Sequence, residues 1–283
     1  MPDTMLPSAP VLLDTYQSRT APAVRRNIRV PALVRRLASP LVILAAWQVA
    51  STAGLVSPRV LASPAAIAAA AWDLTVSGPL LANLGVSLAR VCVGLAIAIG
   101  VGVPLALIAG LSRAGEDAVD APLQMVRTLP HLALVPLFIL WFGIGEEPKI
   151  ALVALGALFP LYLNLFAGIR GVDPKLREAA RTLGLSRFEM VRHVILPGAL
   201  PSALVGLRYA VGVAWLSLVV GEQINADSGI GYMMMDARDF LRTDVILVGL
   251  LVYALLGLAS DALVRAIERS ALAWRPAFAG TRR

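Results

Sequence analysis

The sequence is short of charge. Only 15% of its 283 residues are Asp, Glu, Lys or Arg, against about 25% in an ordinary soluble domain. So few charges cannot cover the surface of a soluble protein of this length. Low charge combined with high hydrophobicity also excludes a disordered chain. Cysteine is nearly absent. Cys92 stands alone, which excludes an intrachain disulfide and a CxxC redox or metal pair. His131 and His193 lie far apart and, with one cysteine, do not make a zinc site. No G-x-x-x-x-G-K-[ST] phosphate loop occurs, so the chain cannot cradle ATP itself. No G-x-S-x-G elbow occurs either, and no nucleophile–base or metal constellation of a membrane-embedded enzyme. No cofactor is expected.

What is present is apolar. Hydrophobic residues make up 58% of the chain and the mean hydropathy is +0.77. A bilayer-spanning helix needs about 20 mostly apolar residues. The long intervals between charges give six, near 41–56, 91–112, 128–145, 150–169, 199–221 and 245–264. Pro130 and Pro136 fall in the third, Arg208 in the fifth, and Asp261 near the end of the sixth. Val60–Trp72 is Ala-rich and short. Its Ser63-Pro64 is a helix-start signal, and it is expected to lie at the membrane interface. Arg25-Arg26 and Arg35-Arg36 precede the first apolar stretch as in an export signal. Five further apolar segments follow, so a retained anchor is expected. The fold class is all-α, a polytopic membrane domain over 37–270 between a basic tail at 1–36 and a short tail at 271–283.

The formal charge of +7 would suit nucleic acid, but in a membrane protein basic residues first report orientation. With six spans, one side takes 20 of the 25 basic and 10 of the 18 acidic residues; the other takes 5 and 8. The balance is +10 against −3. Both termini and the loop at 170–198 are therefore expected on the cytoplasmic side of the membrane, and no nucleic acid is expected as a partner.

That loop reads as two helices. Asp173-Pro174 is an N-cap followed by proline at the first helical position. Leu176, Ala179, Ala180 and Leu183 recur at helical spacing, and Gly184 supplies the stop. Ser186 and Glu189 form an S-x-x-E capping box for a second helix, which Pro197 is expected to end. Its apolar face is Phe188, Val191 and Val194 or Ile195. Periodicity leaves two readings open: a helix resting on lipid headgroups, or one that docks in a groove of a cytosolic partner.

Glu178-Ala179-Ala180, Gly184, Val194 and Leu196-Pro197 match the spacing E-A-A-x3-G-x9-[IV]-x-L-P. This signature resembles the cytoplasmic loop of ABC importer permeases. The likeness extends along the chain through Ser87-Leu88-Ala89-Arg90-Val91, Leu140-Trp141-Phe142-Gly143-Ile144-Gly145, Gly206-Leu207-Arg208 and Gly229-Ile230-Gly231-Tyr232. Together these resemble the subfamily serving aliphatic sulfonates, taurine and nitrate, whose relatives take thiamine precursors and aromatic acids. His131 and the long Arg-rich tail depart from that pattern. The resemblance implies the type I importer fold. It also implies a permease homodimer, two copies of a cytoplasmic ATP-binding subunit and a periplasmic substrate-binding protein. It makes Glu178, Ala179, Ala180 and Gly184 the coupling helix, with Leu196-Pro197 at the re-entry to the fifth span. The solute expected is a small anion, an aliphatic sulfonate or taurine first.

Pathway residues are less defined. Arg208 could attract an anion or reach to the headgroups. Asn164 and Tyr162 line a cavity or bond across helices. Glu222 occupies a position like one that recurs in the family near the periplasmic gate. Asp261 is expected to pair with an arginine. Trp72, Trp141 and Trp215 suit interface anchoring or packing. The segment 223–244 is expected to hold a short helix, with Asp227, Asp236, Arg238 and Asp239 as contacts for the binding protein or as an ordinary solvated surface. A secondary transporter or channel would show coupling carboxylates in mid-membrane or matched broken helices, and would have no use for the loop signature.

Overall fold

The computed structural model describes residues 32–76, 78–224 and 226–274. The N-terminal tail before Ala32 and the end of the C-terminal tail lie outside the described residues. Every regular element among those described is helical, the arrangement that satisfies backbone groups inside lipid. Packing divides the chain between Ile43 and Leu44, inside the first helix, α1 (Ala32–Thr52).

In the second unit follow α2 (Pro64–Val76) and α3 (Leu80–Leu111). Ser63 caps α2, accepting the Ala66 N–H at 3.2 Å. Among the described residues, four helical stretches are long and apolar enough to cross a membrane: α3, α6 (Glu147–Arg170), the continuous helix Arg187–Ile224 and α11 (Thr243–Ala271). Arg90, read from sequence as the boundary of a span, lies well inside α3.

The stretch 128–145, expected as one span, is broken. α4 (Arg113–Arg127) ends at Thr128, a 3-10 turn covers His131–Leu134, and α5 (Val135–Phe142) follows at an 84° bend. Pro130 is the cause. It has no N–H to continue the ladder, and it drives the residue before it away from helical geometry.

α6 is the central helix. Its Val153, Ala157 and Leu161 pack with Val91 and Ala98 of α3. The same stripe meets Ala210, Ala214 and Leu218 of α9 (Leu196–Ile224). Small residues let these backbones approach. A Cβ at Gly94 would lie 2.5 Å from Val153, and one at Gly206 would lie 2.8 Å from the Asn164 Cβ. A second core joins α2 and α11 to α10 (Ile230–Asp239) through Ile67, Leu80, Ile230, Met234 and Val248.

The second loop helix, α8 (Arg187–Met190), is not ended by Pro197. It passes through a π-helical turn, Val191–Ile195, directly into α9. Pro197 lacks an N–H and its ring would crowd the His193 carbonyl in a regular helix. The wider turn, in which the Leu196 N–H reaches back to Val191 O, takes up that misfit.

Candidate functional site

The loop between α6 and α9 is built by local signals. Asp173 accepts the Lys175 N–H at 2.8 Å and opens α7 (Pro174–Thr182) with Pro174 in its first turn. α7 closes with Gly184 at φ +80, the Gly184 N–H on Arg181 O and the Leu185 N–H on Ala180 O at 3.1 Å. That pair of bonds is a Schellman cap, which needs a left-handed residue. Ser186 and Glu189 then exchange both bonds of the capping box.

The expected stripe Leu176, Ala179, Ala180 and Leu183 divides. Ala180 turns inward with Val172, Met190 and Ile195 against Ala106, Ala109 and Ile169. Glu178, Ala179, Leu176 and Leu183 face outward. Leu183 is 80% exposed and Phe188 of α8 is 72% exposed. Val194 is half-buried, and Leu196 and Pro197 sit at the start of α9. The loop thus presents a capped knob, with Leu176, Leu183 and Phe188 exposed among charged side chains, away from the helices that carry it.

The opposite end of the molecule holds a buried ionic cluster that the sequence did not reveal. Arg90 of α3 donates to Glu222 of α9 at 2.7 Å, and the two side chains are 2% and 0% exposed. The Glu222 carboxylate also accepts from the Ser87 hydroxyl, the Gly231 N–H and the Tyr253 hydroxyl at 2.7, 2.9 and 3.0 Å. Arg90 bonds further to Glu146, between α5 and α6, and to Ser228 O before α10. Lys149 reaches Glu146 at 3.1 Å. The bonds from Arg90, then those from Lys149, hold the Glu146 carboxyl down to about 2, against partial burial. Five elements are tied at one point. Glu222 is therefore enclosed and saturated with donors. The readable signal was Arg90 itself, a lone charge among apolar residues.

The other expected residues separate. Tyr162 is buried in α6, stacks on Phe166 and donates across to Asp120 of α4 at 3.0 Å. Asn164 donates to the Pro160 carbonyl one turn back on its own helix at 2.8 Å. Arg208 lies near the middle of α9, paired with Asp261 at 3.4 Å and with Glu268. Asp261 also holds Arg265 at 2.7 Å. Trp215 is buried, bonded to Ser260 and edge-on to Tyr253, whereas Trp72 and Trp141 are exposed. Asp227, Asp236, Arg238 and Asp239 are all exposed on or just before α10, whose other face is core.

A multi-pass helical protein with a projecting two-helix knob at one end and an ionic closure at the other has the form of an ABC importer permease. Residues 102–272 match the family described as the binding-protein-dependent transport system inner membrane component, and the chain belongs to that family. It is 52% identical to the putative aliphatic sulfonates transport permease protein SsuC of Escherichia coli (strain K12), across 84% of this chain and 91% of that one. Identity is 46% to the SsuC of Bacillus subtilis (strain 168), across 87% and 90%. It is 37% to the taurine transport system permease protein TauC of E. coli, across 82% and 86%. An inward-facing structure of the MetNI methionine ABC transporter superposes with a TM-score of 0.54 at 21% identity, covering 66% of this chain and 95% of that one. The fold is the ABC importer permease fold, and the chain is a membrane-spanning permease subunit. The family implies ATP-binding and substrate-binding partners.

Proposed function

We propose that this permease carries aliphatic sulfonates into a bacterial cell across the inner membrane. The observation that carries the reading is the 52% and 46% identity to two aliphatic sulfonate permeases over most of the chain. The taurine permease is more distant at 37%, so taurine is the second solute. The permease works as a homodimer with two ATP-binding subunits on the cytoplasmic side and a binding protein on the periplasmic side. Both termini and the 170–198 loop are cytoplasmic.

The mechanism follows from the two ends. Glu178, Ala179, Ala180 and Gly184 seat α7 in the ATPase cleft. The exposed Leu183 and Phe188 supply apolar contact area for that dock. Because α8 runs unbroken into α9, ATPase closure pulls on α9 without a hinge. Glu222 rides on the same helix, so the pull loads the outer cluster and opens it toward the binding protein. The exposed acids on and just before α10, Asp227, Asp236 and Asp239 with Arg238, offer that protein a polar landing surface.

The test is growth of a strain deleted for this gene, with ethanesulfonate, taurine or sulfate as sole sulfur source. Loss of growth on ethanesulfonate alone, restored by the gene in trans, is expected. Undiminished growth on ethanesulfonate overturns the substrate assignment.

A further inference from the structure

The α4–α5 break places an ionisable group in mid-membrane that no part of the reading above uses. His131 sits in the 3-10 turn at the break, and its Nε2 lies 3.2 Å from the Ser217 hydroxyl of α9. Ser217 is wholly buried and the His131 ring is only half-buried. Gly156 of α6 makes the room: a Cβ there would stand 2.5 Å from the Ser217 Oγ and 3.2 Å from the His131 Nε2. Gly156 lies near the middle of the 24-residue α6, about 14 Å from its outer end at ~1.5 Å per residue. The contact is therefore close to the bilayer midplane.

Three physical arguments give this contact a role. Ionisable side chains at such depth face the bundle interior or a wet cavity and not lipid. Irregular backbone at membrane depth is likewise tolerated where it lines a cavity or packs on protein. The Ser217 hydroxyl can also select the tautomer. When Ser217 donates to Nε2, the proton of the neutral ring is on Nδ1, which has no hydrogen-bond partner among the described residues. An N–H donor on a half-buried ring is suited to an anionic oxygen.

The same seam continues outward. A small cleft is lined by Val135, Ile139, Pro148, Lys149, Leu152 and Gly221. Val135, Leu152 and Gly221 each lie four residues from His131, Gly156 and Ser217, so the cleft sits one turn toward the outer end. Lys149 in its wall is buried and leans to Glu146. An anion descending this seam passes a lysine that Glu146 already neutralises and then meets the imidazole.

We propose that His131, oriented by Ser217 and seated by Gly156, is an anion-contacting station of the translocation pathway, binding the tetrahedral oxyanion head of an organosulfonate. This rests on the sulfonate reading for the choice of ligand.

The experiment uses the complete importer, with its ATPase and binding protein, in proteoliposomes fed labelled ethanesulfonate. His131→Ala is expected to lower the maximal uptake rate on the order of tenfold, the effect of losing one strong hydrogen bond. The concentration of loaded binding protein that half-saturates uptake stays unchanged. His131→Gln, which keeps a donor, recovers part of the rate. ATP hydrolysis stimulated by loaded binding protein persists in both variants. Uptake equal to wild type in His131→Ala overturns the proposal. So does a parallel fall of uptake and stimulated hydrolysis in both variants, which marks a packing role. If the wild-type importer moves no sulfonate, the failure belongs to the substrate assignment instead.

Discussion

Arg90 and Glu222 are 132 residues apart in sequence and 2.7 Å apart in the fold. Burying two opposite charges is repaid only when the geometry is good and the remaining hydrogen-bonding capacity is filled. Here it is filled, by Ser87, Tyr253 and a backbone N–H on one side and by Glu146 and Ser228 on the other. Removing one partner strands the other. Arg90→Ala or Glu222→Ala is expected to cost about 3–5 kcal/mol each, the range for breaking a buried pair. The double variant Arg90→Met with Glu222→Leu is expected to recover part of that loss. Thermal unfolding of the detergent-solubilised protein reads the cycle. Single variants that melt with wild type would show that the cluster carries no stability.

Glu146 gives the cluster a pH signature. Its carboxyl is held at about 2, chiefly by the hydrogen bonds from Arg90, where an ordinary glutamate sits near 4.5. A carboxyl depressed in the folded state stabilises it fully above the unfolded value and loses that contribution as pH falls through the folded one. From pH 5 to 8 this group adds no pH dependence. Below about 4.5 the stability it contributes declines toward pH 2. Melting temperature followed from pH 7 to pH 3 is therefore expected to fall more steeply in wild type than in Glu146→Gln. The same slope in both would remove Glu146 from the acid response.

How much was legible in the sequence depended on distance along the chain. The caps of the loop, Asp173, Gly184 and the Ser186–Glu189 box, are written within a few residues and formed as read. Arg90 was read as the edge of a span because a charge in an apolar run normally marks water. Its neutralising partners come from α9 and the α5–α6 connection, which no local pattern announces. Pro197 was read as a terminator because proline cannot continue a regular helix. The π turn before it is a tertiary accommodation, held by Ile195 in the core. The His131–Ser217 contact was invisible for the same reason, since it needs the α4–α5 bend to exist.

Gly184 tests the knob separately from the membrane domain. Its φ of +80 costs a residue with a side chain about 1–2 kcal/mol in the turn. Nothing lies within 4 Å of a Cβ placed there. A substitution therefore strains the cap without clashing inside the chain. Gly184→Asn is expected to be tolerated, Gly184→Ala to weaken the coupling and Gly184→Glu to abolish it by putting a charge against the ATPase. The readouts are co-purification of the ATP-binding subunit and ATP-driven uptake. Wild-type behaviour of Gly184→Glu in both would place the dock elsewhere.

Arg208 separates a structural tie from a pathway contact. Its guanidinium is already engaged by Asp261 and Glu268, with Arg265 completing the chain of charges between α9 and α11. A cation so neutralised exerts little pull on a passing anion. The groups are partly exposed, so each bond is worth about 0–1 kcal/mol, and the pairing is exchangeable. Arg208→Glu is expected to lower thermal stability by repelling both carboxylates. The swap Arg208→Glu with Glu268→Arg is expected to restore stability and uptake together, because it rebuilds the tie with reversed polarity. A pathway arginine would behave differently. The swapped protein would regain its melting temperature while uptake stayed lost, and Arg208 would then belong beside His131 on the anion's route.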